Sequence, residues 1–390
     1  MIRVLCSLLL VPSVALAQLP PGWAAFTKQF SAYADSDRVV GASVLFQRGG
    51  SVVGRHDIGF ENLTARKAID SASIYHWGSI TKTLTAVSIM QLRDRGRLSL
   101  DDKVVRFLPE LRRVHDPYGM MDRITIRMLL SHSAGFRNGT WPYASGATWE
   151  PFEPTEWSQL VAMMPYQQLL FRPGAQYSYS NPAFVYLARI VELLTGDPWD
   201  AYVQKNIFAP LQLTRSYFRA TPYYLASHRS HNYDVRRDSA SGQSRLVENP
   251  TEFDPGITTP NGGWNAPASD LAKWAAFLSN TVPPGGSRQY YDLVLKRSSL
   301  EEMWTPVVPM SAGYEATPGQ FMGLSFFVQS RGTQRIVGHT GFQAGFRSFM
   351  YINPATGAAV IAVFNTTNYP APAAAAYERM HKAAQALLWQ

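Results

Sequence analysis

Cysteine is almost absent from this 390-residue chain: Cys6 is the only one. One thiol allows no internal disulfide and no cysteine metal site, and past residue 6 there is no thiol chemistry. Charge is sparse too, at 16% of residues, and the basic excess behind the formal +8 is scattered. Without a run of Lys or Arg there is no nucleic-acid tail, so the excess reads as surface solvation and no nucleic-acid partner is expected. After the N-terminus no apolar stretch is long enough to span a bilayer, so no stable membrane insertion is expected. A G-x-S-x-G elbow is missing, which argues against an α/β-hydrolase triad. His228 and His231 in "SHRSHNYD" have metal-like spacing, but no carboxylate pair or HExxH context accompanies them. No metal or other cofactor is therefore expected. There is no internal repeat.

What is present begins with "MIRVLCSLLLVPSVALA", residues 1–17. An early Arg3, an apolar run and Ala15-Leu16-Ala17 form the pattern of a cleaved secretory signal. Its removal would take the formal charge to +7, and a thiol-free remainder suits a secreted, bacterial periplasmic setting. The rest is long enough to bury a sizeable core.

Residues 22–36 read as a helix. "GASVLFQRGGSVVGRHDIGF" follows, two β-branched runs around Gly49-Gly50, which is hairpin chemistry because paired glycines accept positive φ. The far end carries four more strand-like runs: "GLSFFVQS", "TQRIVGHTG", "FRSFMYI" and "AAVIAVFN". Ala373, Tyr377, Met380, Ala384 and Leu387 then recur at helical spacing. Between the ends, residues 76–280 read as mainly helical. "SITKTLTAVSIMQLRDRG" stops at Gly96, "NPAFVYLARIVELLTG" at Gly196, and "APASDLAKWAAFLSN" has Ser269 as its cap. The segments from Trp141 to Trp157 and from His231 to Gly256 read as loops. An α/β architecture follows, with one antiparallel sheet built from both chain ends (18–75 and 281–390), flanking helices and an inserted helical lobe (76–280).

Three stretches carry candidate chemistry. In "HWGSITKTLT", Ser79 and Lys82 lie one turn apart at a helix start. The helix reads as apolar nearly all round, and a buried lysine is pushed below its usual ~10.4, toward a form able to take the serine proton. A capped helix with an outward lysine fits the same pattern. In "RPGAQYSYSNPAF", Tyr179 offers an acid–base phenol and Asn181 an amide that both donates and accepts. A polar helix entry would look the same. In "RIVGHTGFQAGF", His339, Thr340 and Gly341 end a strand against which a substrate backbone could lie. The backbone N–H of Phe342 could join that of Ser79 as an oxyanion hole. His132 in "LLSHSAGF" reads as structural. Trp141, Trp149 and Trp157 suit loop packing better than a subsite.

Taken in order, Ser-x-x-Lys, Tyr-x-Asn and a basic residue before Thr-Gly resemble the penicillin-recognising serine hydrolases: class C β-lactamases, D-alanyl-D-alanine carboxypeptidases and related esterases. "ITIRMLLSHSAGF" and "PAFVYLARIVELLTG" are similar to family segments outside the site, and the resemblance runs from about residue 24 to the end. It implies a β-lactamase/transpeptidase fold with a five-stranded sheet, Ser79 as the acylated nucleophile, and Lys82 and Tyr179 as the acid–base pair. Asn181 and the Thr340-Gly341 strand would hold the substrate, a D-amino-acid peptide, β-lactam or small ester; the alternative is a slowly deacylating receptor. Oligomeric state is left open. His339 departs from the Lys-Thr-Gly of class C enzymes. An imidazole near ~6.5 is mostly neutral at pH 7.5, so uncharged esters should be preferred, with carboxylates gaining toward pH 6. Arg335 and Arg347 are the alternative sources of positive charge.

Overall fold

The computed structural model describes residues 18–140, 154–238, 240–249, 252, 254–282, 286–313, 317–343, 345–369 and 373–390. The expected signal at 1–17, together with Trp141 and Trp149, lies outside them. The α-helices among the described residues are α1 (Trp23–Ser36), α2 (Lys82–Asp94), α3 (Ile126–Leu130), α4 (Trp157–Met163), α5 (Pro182–Thr195), α6 (Trp199–Val203), α7 (Thr259–Gly262), α8 (Ala268–Leu278), α9 (Arg288–Val294), α10 (Arg297–Met303) and α11 (Ala373–Leu387). The strands are β1 (Gly41–Arg48), β2 (Ser51–Asn62), β3 (Lys67–Ala68), β4 (Ile74–His76), β5 (Asn232–Arg237), β6 (Ser244–Asn249), β7 (Asn265–Pro267), β8 (Val308–Pro309), β9 (Phe321–Met322), β10 (Phe327–Arg331), β11 (Gln334–Gln343), β12 (Phe346–Asn353), β13 (Ala358–Phe364) and β14 (Thr366–Tyr369).

Period-2 patterning explains the main sheet. In β13, Ala358, Val360, Ala362 and Phe364 join Trp23, Phe26 and Phe30 of α1 and Met380 and Leu387 of α11 in one core. The alternate residues Ala359, Ile361 and Val363 join a second, larger core that takes in α8 and runs on into α2 and α5. With both faces covered, β13 reads as a continuous apolar run, and β1 is buried along nearly its whole length, Ser43 and Gln47 included. Each large side chain so buried is worth roughly 1.5–3 kcal/mol.

The sheet is antiparallel throughout, in the order β3-β2-β1-β13-β12-β11-β10-β9-β8. It has nine strands and not the expected five. Three of them (β3, β8 and β9) are two-residue pairings, too short to leave any periodicity in the sequence. The joining of the two ends is direct, since Ala42 of β1 pairs with Phe364 of β13. Two other expectations need correction. The stretch after His231 is a hairpin, β5 with β6, and β14 adds to β5 in parallel. Its polar composition hid it; among the described residues its buried apolar side chains are those of Tyr233 and Val235. Ser269 is not a cap either: α8 starts at Ala268 behind Pro267 and lacks a side-chain cap. Among the described residues no helix is long and apolar enough to cross a membrane.

Candidate active site

The segment carrying Ser79 is fixed from three sides. Strand β4 pairs with β7, and Trp77, fully buried, donates its backbone N–H to Trp264 O at 2.8 Å and its indole N–H to Ala266 O at 2.9 Å. The third support is β11. A Cβ at Gly341 would lie 2.0 Å from Trp77 O and 2.3 Å from Ser348 Oγ, and one at Gly78 would lie 2.8 Å from Phe342 N. Only glycine at both places lets the two backbones approach this closely. That contact brings the N–H groups of Ser79 and Phe342 to neighbouring positions.

Ser79 opens a 3-10 turn, Ser79–Thr81, that runs into α2. In a 3-10 turn residues i and i+3 eclipse, so Lys82 stands over Ser79. Ser79 is partly exposed whereas Lys82 is completely buried. The Lys82 ammonium group reaches Ser79 Oγ at 2.9 Å, Asn181 Oδ1 at 2.8 Å and Asn261 O at 2.8 Å. These three acceptors are neutral oxygens. As an ammonium, Nζ donates to Ser79; as an amine it can accept the Ser79 proton.

Tyr179 arrives on a strap tied to the "LLSHSAGF" segment. Ser178 N–H donates to His132 O at 2.8 Å, Gly174 N–H to Ser133 O at 2.8 Å, and Ser180 N–H to His132 Nδ1 at 3.0 Å. His132, with φ +54°, stacks its ring on that of Tyr179 at 4.2 Å. The expected structural role of His132 thus has a specific form: it shapes the strap that carries the phenol. The Tyr179 ring centre is 4.9 Å from Lys82 Nζ and 6.0 Å from the His339 ring.

The structure brings Ser79, Lys82, Tyr179, Asn181, His339, Thr340, Gly341 and Phe342 to one place. Asn261, on α7, was missed; its carbonyl accepts a hydrogen bond from Lys82 Nζ and its side-chain amide donates to Asn181 Oδ1 at 3.3 Å. "TTPNGGW" contains no pattern that announces such a role. Trp157 lies elsewhere, its indole donating to Glu110 and its ring against Tyr186. Arg335 pairs with Ser330 beside the β10–β11 turn, four residues along the strand from His339, about 13 Å at strand rise. His231 is held by Glu248 and Asn62. No group of metal-binding side chains occurs among the described residues.

His339 behaves differently from expectation. Its ring is fully buried, stacked on Phe327 at 4.6 Å, and Nδ1 donates to Thr340 O. Desolvation, aided by the Lys82 charge, pushes its pKa down to about 3. It therefore does not gain charge near pH 6, and the expected rise in carboxylate preference there is withdrawn. The same burial acts on stability. His76 is held below its ordinary value by burial, and His132 well below it by burial and then by Lys82 and His339. Unfolded, all three take up a proton near ~6.5 while the folded state stays neutral, so stability is full above that pH and is lost on acidification toward the folded pKa. Each buried neutral histidine contributes a slope of roughly 1.4 kcal/mol per pH unit. Urea midpoints should fall from pH 7 to pH 5, and His339→Gln should remove about one proton's worth of that slope. An unchanged slope in the variant would mean that His339 is already protonated when folded.

The sequence model of the Beta-lactamase family matches residues 26–385, nearly the whole chain. The chain belongs to this family. Penicillin-binding protein 4* of Bacillus subtilis (strain 168) is 27% identical over 319 residues, 79% of this chain and 64% of that relative. The chain thus spans less than two thirds of that relative's length. The octameric penicillin-binding protein homologue from Pyrococcus abyssi superposes with a TM-score of 0.73 at 25% identity, covering 93% of this chain and 77% of that one. A D-stereospecific amidohydrolase from Streptomyces sp. gives 0.64 at 26% identity over 88% of this chain and 94% of its own. The mixed α/β fold with its large antiparallel sheet is that of this Beta-lactamase family.

Proposed function

We propose that this Beta-lactamase family member is a serine hydrolase that forms and then hydrolyses an acyl-enzyme on Ser79. The observation that carries the reading is the buried Lys82 Nζ, 2.9 Å from Ser79 Oγ and fixed by Asn181 and Asn261. Lys82 as an amine takes the Ser79 proton while Oγ attacks the substrate carbonyl. The backbone N–H groups of Ser79 and Phe342 receive the developing oxyanion. The proton passes to the leaving atom through Tyr179, whose ring lies against Lys82. Water then attacks the acyl group and the relay runs in reverse. Asn181 uses its carbonyl on Lys82, which leaves its amide N–H to orient the substrate, beside Thr340 and Gly341 on β11. His339, neutral and buried, braces Tyr179 and Phe327.

The substrate class is a D-amino-acid peptide or amide, a β-lactam or a small ester. The relatives support an amide or β-lactam; the neutral His339 supports an ester. Residues 18–75 with 281–390 and residues 76–280 form the two lobes of one catalytic unit, and residues 1–17 direct secretion to a bacterial periplasm. A fluorophosphonate should add its mass to the peptide containing Ser79, and a panel of phenyl acetate, nitrocefin and D-alanyl-D-alanine peptides should show sustained turnover of at least one. A label on Ser131 or Ser133 would sink the assignment. A stoichiometric burst with nothing after it would make the protein a receptor that acylates without turning over.

A further inference from the structure

One of the three oxygens that hold Lys82 Nζ is the backbone carbonyl of Asn261. That carbonyl belongs to a short turn, residues 259–263, between α7 and β7. A single helical turn is not stable by itself, so its position is set by what ties it down. Two ties come from the segment that carries Lys82. Thr85 Oγ1 donates to Pro260 O at 2.7 Å, and Thr81 Oγ1 accepts the backbone N–H of Trp264 at 3.0 Å. A third tie leads through His76 to β11.

His76 is the last residue of β4, three positions before Ser79, and faces Asn265 of β7 in register. It is 4% exposed. Its Nδ1 lies 3.0 Å from Asn265 Oδ1. An amide oxygen can only accept, so Nδ1 carries the proton. The Asn265 amide in turn donates to Gly263 O at 3.2 Å, inside the turn. The Gly262 backbone and the Gln343 side chain are the remaining hydrogen-bonding neighbours of the imidazole. Burial keeps the ring below its ordinary pKa, and in the neutral ring Nε2 is an acceptor for which the Gln343 amide is a donor. Gln343 ends β11, next to Phe342, and its amide oxygen rests on Gly262, 2.2 Å from the place a Cβ would take there.

One imidazole therefore links three pieces of the proposed machinery. They are the segment leading into Ser79, the turn with the Asn261 carbonyl, and the end of β11 with the Phe342 N–H. We propose that His76 and Gln343 act as a positioning pair, a single link that sets the Asn261 carbonyl against Lys82 and the Phe342 N–H beside Ser79. This rests on the acyl-enzyme reading above. Neither residue gives or takes a proton in the reaction. With the link cut, Lys82 keeps Ser79 and Asn181 as partners, but the turn and the end of β11 move independently. A misplacement of about 1 Å costs about a hundredfold in rate.

Inactivation by a fluorophosphonate separates binding, read as KI, from the chemical step, read as kinact. Gln343→Leu keeps the bulk and loses the amide. His76→Asn keeps a donor for Asn265 and loses the reach to Gln343. Each should lower kinact about ten- to a hundredfold and leave KI near the wild-type value. The double variant should lose no more than the larger single loss, because both changes cut one link. Gln343 is only half-buried, so Gln343→Leu decides the matter if His76→Asn does not fold. An unchanged kinact in a folded variant, a loss that appears in KI instead, or losses that multiply in the double variant would overturn the pair. Hydrogen exchange of the peptide spanning residues 259–266 reads the link without chemistry. It should quicken in both single variants while exchange in β1 stays as in the wild type. If the wild type takes no label on Ser79, quickened exchange keeps the pair and the acyl-enzyme reading alone fails. Unchanged exchange in that case overturns the pair as well.

Discussion

Ser79→Ala is expected to abolish turnover and covalent labelling together. In serine hydrolases whose nucleophile and base act as a unit, losing the nucleophile costs about 10⁶ in kcat. Fold should survive the change. Ser79 is partly exposed and Lys82 keeps Asn181 Oδ1 and Asn261 O as acceptors, so the ammonium is not stranded. The check is intact-protein mass after a fluorophosphonate, paired with thermal melting. Retained labelling in a folded Ser79→Ala protein would move the nucleophile elsewhere.

The second large effect concerns the proton relay. Lys82→Ala and Tyr179→Phe should each lower kcat/KM by about 10²–10⁴, the usual range for a general acid or base. The two differ in what they do to the fold. Removing Lys82 takes the Lys82 donor from the buried Asn261 O, at a cost of about 1–3 kcal/mol for a buried acceptor left unpaired, whereas Asn181 Oδ1 keeps the Asn261 amide. Tyr179→Phe keeps the ring that stacks on His132, so its melting temperature should move far less. Because both groups serve one proton path, the double variant should lose much less than the product of the single losses. Full multiplicativity would place Lys82 and Tyr179 in separate steps.

The sequence made the proposed trio of Ser79, Lys82 and Tyr179 readable because each member sits in a short stretch with its own chemistry. What brings them together is not local: Lys82 and Asn181 are separated by about a hundred residues and meet at 2.8 Å. The order of the three stretches, through the family resemblance, stood in for that missing geometry. Long strands were legible for the same reason that β13 is, its alternate residues belonging to two different cores. Two-residue strands have no alternation to read, and the β5–β6 hairpin turns too few apolar residues inward. Asn261 escaped notice because it contributes a backbone carbonyl, which every residue has. The character of His339 was misjudged because its immediate neighbours are small and open, while the groups that cover it, Phe327 and Tyr179, come from other parts of the chain.

The pairing of β1 with β13 joins residues about 320 positions apart, and it has a consequence for the order in which the molecule can be made. A loop of that length must close before the central pair of the sheet gains any hydrogen bond, and such non-local contacts slow folding. The β1–β2 hairpin and the helices around Lys82 leave the ribosome well before β13, with an apolar face of β1 exposed until β13 arrives. Strand β11, which packs against the segment carrying Ser79, is made about 260 residues after it. A nascent or truncated chain ending before residue 334 therefore carries Ser79 and Lys82 but not the strand against which they work. The proposed site can therefore take its working geometry only after β11 has been made and has packed against Trp77 and Gly78.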